Sequence, residues 1–287
     1  MTHSATPIAW APTLKTKRAI QQSQQPTPAN GVTMTRASEP DAPIRLICFP
    51  YAGGGLPVFR DWPDSMPDLV EVRVLQLPGR GARLREASFT QLTQLVKILA
   101  EELRPLFDVP CAFFGHSVGA LICFELARAL RQQNIEPFHM FVSGNSAPQL
   151  PNPNPEIHHF SDEQFLAEIK ALNGMPQLVL DTPELLKLLL PAVRADFTLT
   201  ETNEYQPQPP LECPITVFGG ERDPRTNRTG LEEWGSQTTA AFELHTLPGD
   251  HFFIDQSGVQ LRQLVVEALN NSQPMQTAKQ ARKGTAS

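Results

Sequence analysis

A serine between glycines, an aspartate ahead of a proline and a histidine behind a Gly-Asp pair could together perform nucleophilic chemistry in this chain. Ser117 lies in Gly115-His116-Ser117-Val118-Gly119, between the apolar run Cys111 to Phe114 and a segment in which Ile122, Leu126, Ala129 and Leu130 recur at i, i+4, i+7 and i+8. That pattern predicts strand, sharp turn, helix. In such a turn the serine is held in a strained conformation with its hydroxyl at the C-terminal edge of a sheet. The glycines let strand and helix approach without a Cβ clash. Asp223 follows the apolar strand Pro214 to Phe218, and His251 follows the strand Phe242 to Leu247.

Three loops therefore leave the C-terminal ends of three strands carrying Ser117, Asp223 and His251, where an open parallel sheet binds ligands. Serine, aspartate, histidine is the chain order that α/β-hydrolases use for nucleophile, acid and base. The other histidines compete poorly: His3 is in the N-terminal stretch, His116 lies inside the turn, His139 and His245 lie in strands, and His158 with His159 reads as a solvated pair. Asp250 and Asp255 are alternatives to Asp223, but the carboxylate must reach the imidazole's far nitrogen, which a sequence neighbour of His251 does poorly.

The elements that must position these residues alternate. Ile44 to Phe49 predicts a first strand, and Pro50-Tyr51-Ala52-Gly53-Gly54-Gly55 follows it. This turn has neither G-x-G-x-x-G nor P-loop spacing. It reads instead as a loop lending a backbone N–H to an oxyanion, with Ala52 as donor and Tyr51 as the near alternative. A strand over Val72 to Leu77, a helix with Leu92, Leu95, Val96, Leu99 and Leu103 on one face, and a strand over Phe138 to Ser143 extend the alternation. Strand, helix, strand at this spacing predicts a mostly parallel sheet flanked by helices.

Residues 149–210 interrupt the rhythm with proline-rich Pro151 to Pro155, a capped helix start at Ser161, and a leucine-rich helix from Pro183. We expect a helical lid over the site there, built of side chains that pack on the sheet domain and also line a pocket. The division expected is a disordered extension over 1–42, an α/β-hydrolase domain over 43–272 containing the lid, and a disordered tail over 273–287. The acid-free start of the N-terminal extension also allows a transit peptide or a translation start at Met34.

A net charge of -6 among 287 residues gives no sign of nucleic-acid binding, and no apolar run reaches the ~18 residues of a membrane span. Cys48, Cys111, Cys123 and Cys213 lie in apolar stretches without zinc-like spacing, so we expect buried free thiols, no metal and a cytoplasmic protein. A structural disulfide is the alternative. A monomer is expected.

Several segments together resemble the type II thioesterases that accompany nonribosomal peptide and polyketide synthases. They are Phe49-Pro50-Tyr51-Ala52-Gly53-Gly54, Leu77-Pro78-Gly79-Arg80-Gly81, Gly115-His116-Ser117, Leu190-Pro191-Ala192-Val193-Arg194-Ala195-Asp196-Phe197, Gly219-Gly220 with Asp223-Pro224, and Gly249-Asp250-His251-Phe252-Phe253. The resemblance spans about Ile44 to Asn270. It implies an α/β-hydrolase that removes aberrant or stalled acyl groups from the phosphopantetheine arm of acyl or peptidyl carrier domains, with no cofactor of its own. It also implies Ser117 as nucleophile, His251 as base, Asp223 as acid, and the N–H groups of Ala52 and Val118 as oxyanion donors. Gly55, Val118 and Asp250 stand where the family often has serine, methionine and glycine.

Because a carrier is usually acidic and this chain is too, docking calls for a local basic patch. Arg80, Arg83 and Arg85 are one candidate, set against the reading that they pin their own loop. A fatty-acyl thioesterase or carboxylesterase on the same fold is the alternative activity, and a non-catalytic binding protein is the rival from another class.

Overall fold

The computed structural model describes residues 33–36 and 42–284, all within one compact unit, Val32–Ser287. Its centre is a seven-stranded sheet in the order β1-β3-β2-β4-β5-β6-β7. The strands are β1 (Thr33–Arg36), β2 (Ile44–Phe49), β3 (Val70–Gln76), β4 (Cys111–His116), β5 (His139–Ser143), β6 (Ile215–Gly220) and β7 (Phe242–Leu247). Every pairing is parallel except β1 with β3. Parallel strands covered on both faces read as unbroken apolar runs, and β2 is buried at all six positions. Its side chains still alternate: Ile44, Leu46 and Cys48 join one core cluster, while Ile47 and Phe49 join the other.

Among the described residues, nine α-helices accompany the sheet: α1 (Leu92–Glu102), α2 (Val118–Arg131), α3 (Asp162–Ala171), α4 (Gln177–Leu180), α5 (Pro183–Glu201), α6 (Arg228–Glu232), α7 (Phe253–Gln256), α8 (Gly258–Asn271) and α9 (Gln273–Gly284). Helices α1 and α2 pack Leu95, Leu99, Leu121 and Phe124 into one face. Helix α8 packs Leu261 and Val265 into the other, beside Phe59 and Trp62. The lid has its own small core, Ile157, Phe165, Ile169, Leu190 and Val193. Its first helix starts as the sequence predicts: the Ser161 hydroxyl accepts from the Gln164 N–H and the Gln164 side chain accepts from the Ser161 N–H, a capping box.

Two of the expected boundaries change. Thr33–Arg36, inside the stretch expected to be disordered, is an antiparallel edge strand on β3, and Ala42 is buried; residues 1–32 and 37–41 lie outside the described residues. The expected C-terminal tail is helix α9 up to Gly284, anchored by the fully buried Met275. Neither segment carries the apolar periodicity that signals such elements, since one depends on its partner strand and the other on Met275 and Ala278 packed on the core and on bonds from Gln276 and Lys279 to Asn270.

Candidate active site

The turn between β4 and α2 places Ser117 at φ 56° and ψ −122°. That is left-handed backbone on a non-glycine residue, a strain of about 1–3 kcal/mol held by its surroundings. The Ser117 N–H donates to the Ser143 carbonyl (2.8 Å), and its carbonyl accepts from Asn145 Nδ2 (3.0 Å). Both flanking glycines are required by contact: a Cβ at Gly119 would lie 2.1 Å from the Phe49 carbonyl oxygen, and one at Gly115 would lie 2.3 Å from that of Gly119.

The structure brings together the three side chains singled out from the sequence. Ser117 Oγ lies 3.0 Å from His251 Nε2, and His251 Nδ1 lies 2.9 and 3.1 Å from the two oxygens of Asp223. Asp223 also accepts from the Arg225 N–H (2.8 Å) and the Thr226 hydroxyl (3.0 Å). Burial alone would raise its carboxyl pKa, but these bonds and the charge of His251 outweigh burial and hold it below the usual carboxylate range. Asp250 does not compete. It accepts from the Phe252 N–H and Gln256 Nε2 and shapes the histidine loop.

Ser117 and His251 line a cavity of ≈ 380 Å³ roofed by the lid residues Ile169, Leu172, Met175, Val179, Leu189 and Phe197. Ala52 and Val118 line it too, and as the first residue of α2 Val118 carries an N–H outside the helix's own ladder. Not every lid leucine faces inward: Leu178, Leu185 and Leu188 are exposed, Leu190 is buried, and Leu189 lines the cavity.

Two of the three arginines expected on a docking patch are buried. Arg80 forms a two-pronged ion pair with Asp196 (2.6 and 2.8 Å), and Arg83 bonds Glu86 (2.8 Å) and the Gln76 carbonyl. Their charge is spent inside the fold, so they offer no basic surface; Arg85 alone of the three is exposed.

The sequence reading missed two supports. His116 is fully buried, with Nδ1 2.8 Å from the Ser143 hydroxyl and Nε2 2.9 Å from the His251 carbonyl, so it holds the loop that delivers His251. Burial, with His251 nearby, pushes its pKa down to about 3, so it serves as a neutral bridge. The other support is Asp196 on α5, which bonds the Gly53 N–H at 2.7 Å. The family-like segment around Asp196 was the only signal of it.

Elsewhere, His158 Nδ1 bonds Glu201 (2.7 Å) rather than standing solvated, and Glu156, His158 and His159 have ligand atoms within 4.8 Å of one another. All four cysteines are buried and unpaired. No described helix is long and apolar enough to cross a membrane.

With this geometry in place, comparison with known proteins is specific. Residues 44–271 match the model of the thioesterase domain family. The chain is 46% identical over 229 residues to the gramicidin S biosynthesis protein GrsT of Aneurinibacillus migulanus, covering 79% of this chain and 90% of that protein. The prodiginine-pathway thioesterase RedJ of Streptomyces coelicolor has a solved structure that is 38% identical with a TM-score of 0.74, covering 80% of this chain and 92% of that one. The type II thioesterase BorB of the borrelidin cluster is 32% identical with a TM-score of 0.76, over 83% and 97% of the two chains. A chain with a serine turn on a parallel sheet, a helical lid, and relatives this similar over nearly their full length belongs to the thioesterase domain family and has its α/β-hydrolase fold.

Proposed function

We propose that this protein is an editing thioesterase, hydrolysing aberrant or stalled acyl groups from the phosphopantetheine arm of carrier domains in a nonribosomal peptide or polyketide synthase. The observation that carries the reading is the Ser117–His251–Asp223 relay, with bonds of 3.0 and 2.9 Å, opening on the apolar cavity beneath the lid. GrsT, RedJ and BorB belong to gramicidin S, prodiginine and borrelidin biosynthesis respectively, which supports the substrate class.

In this mechanism His251 Nε2 takes the Ser117 proton as Oγ attacks the thioester carbonyl, and Asp223 holds the ring in the tautomer that leaves Nε2 free to accept. The N–H groups of Ala52 and Val118 bind the oxyanion. A thiol leaves with a pKa of about 8.5, so the imidazolium's proton suffices to release the arm. Water, deprotonated by the same imidazole, then hydrolyses the acyl-serine. The protein's residues supply all the chemistry, with no metal or cofactor, and we place the enzyme in the cytoplasm as a monomer.

The test is hydrolysis of an acetyl group from a phosphopantetheinylated carrier, beside acetyl-CoA and p-nitrophenyl acetate, for wild type and Ser117→Ala. We expect preference for the carrier-bound thioester and a loss of at least ~10³-fold in the variant. Preference for the oxyester would move the enzyme to the carboxylesterases. Equal rates in both proteins would refute the serine mechanism.

A further inference from the structure

Asp196 belongs to the lid helix α5, yet its carboxylate reaches out of the lid into the loop after β2. Its Oδ2 accepts from the Gly53 N–H (2.7 Å) and from Arg80 Nη1 (2.6 Å), and its Oδ1 accepts from Arg80 Nη2 (2.8 Å). The same Arg80 Nη1 lies 3.4 Å from the Gly54 carbonyl, which closes a ring of bonds through Gly53, Asp196, Arg80 and Gly54. Gln76, at the end of β3, holds the other side, donating to the Arg80 carbonyl (3.3 Å) and accepting from the Leu56 N–H (3.4 Å).

Gly53 immediately follows Ala52 and stands at φ +73°, where a side chain is strained. A Cβ there would also lie 2.7 Å from Val193 Cγ2 of α5. A buried ion pair, with the Asp196 side chain 1% and the Arg80 side chain 5% exposed, is a costly arrangement if it served packing alone, because apolar residues of similar volume would fill the place as well. It supplies what apolar residues cannot: a fixed acceptor for one N–H of a loop that has no regular secondary structure to fix it.

We propose that Asp196 is the positioning residue of the oxyanion site, fixing the peptide of Gly53 so that the neighbouring Ala52 N–H aims at the thioester oxygen, with Arg80 locking Asp196 in place. The inference rests on the proposed hydrolase reading. It makes the lid part of the catalytic apparatus: α5 roofs the acyl cavity and also holds the donor loop.

The experiment compares two double variants that both remove the buried charges. Asp196→Asn with Arg80→Gln keeps an oxygen acceptor for the Gly53 N–H, whereas Asp196→Leu with Arg80→Met fills the space without one. Each is assayed for kcat and KM on a carrier-bound acetyl thioester, and for inhibition by a trifluoromethyl ketone analogue whose serine adduct carries the oxyanion. A whole donor is worth ~10²–10³ in rate, so a misaimed one is expected to lower kcat about 10–100-fold in the Leu/Met protein. KM should stay within about threefold, ketone inhibition should weaken by the factor lost from kcat/KM, and the Asn/Gln protein should recover most of the loss.

Wild-type kcat in a folded Leu/Met protein, or equal losses in both doubles, would overturn the assignment. If the Leu/Met protein does not fold, Asp196→Ala is assayed with added formate, which refits a carboxylate between Arg80 and Gly53. Recovery of kcat at constant KM supports the assignment, and no recovery overturns it. Ser117→Ala keeps the two failures apart: an active Ser117→Ala protein sinks the hydrolase reading itself, whereas an inactive one beside an unaffected Leu/Met double sinks only the role of Asp196.

Discussion

At the scale of single residues, the nucleophilic role proposed for Ser117 depends on what holds His251. Asp223 grips Nδ1 with both oxygens and is itself held by Arg225 and Thr226, so the imidazole has one orientation and one tautomer. Asp223→Asn keeps the shape but presents an N–H where an acceptor is needed. It is expected to lower kcat by about 10³–10⁴ with KM little changed, as read by steady-state hydrolysis. Ser117, Asp223 and His251 were legible in the sequence because each sits in a local turn after a strand. The pairing of Arg80 with Asp196 was not: they lie 116 positions apart, so the sequence left Arg80 open between a docking surface and a loop-pinning role. The bridging role of His116 was hidden for the same reason, since its partner is the carbonyl of His251, 135 positions away.

At the scale of elements, the serine turn works because β2, β4 and α2 touch through glycine. Gly119→Ala would drive a methyl group into the Phe49 carbonyl, and neither backbone can yield without moving a central strand. A stability loss of about 3 kcal/mol or more is expected from chemical denaturation, beyond the range of an ordinary surface change. The central strands and long helices were visible as apolar runs and 3.6-residue repeats, and β2 and β7 match the expected bounds. The short 3-10 turns at Leu56–Phe59 and Glu233–Gln237, strand β1 and helix α9 were not, because tertiary contacts fix them. For α9, Gln, Ala, Lys and Arg favour helix intrinsically, but its composition matched an unfolded tail equally well.

At the scale of the whole molecule, burial of titratable groups sets how the fold responds to solution conditions. Burial pushes the His139 pKa down to about 4 and the His116 pKa to about 3, from 6.5. Below pH ~6.5 the unfolded chain therefore binds protons that the native one refuses. Stability is fully present above that pH and falls as acid is added, by up to about 1.4 kcal/mol per pH unit for each histidine. His139→Gln should remove one proton's worth of this slope between pH 6.5 and 4, measured by denaturant melts across that range; an unchanged slope would contradict the burial argument.

The cysteines give a second reading of the same core. Burial pushes the Cys111 and Cys213 thiols up to about 12 and raises those of Cys48 and Cys123 as well. No fast reaction with a thiol reagent is expected from the native protein at pH 8, and all four thiols should react once it is unfolded.

The most direct test of the central claim is to trap the acyl group in transit. The enzyme is mixed with a carrier bearing an acyl-phosphopantetheine, quenched in acid within a turnover, digested and mapped by mass spectrometry. The account predicts the acyl group on the peptide containing Ser117, and none anywhere in the Ser117→Ala protein, whose turnover should also cease. An acyl group found on another residue, or wild-type turnover by Ser117→Ala, would contradict it.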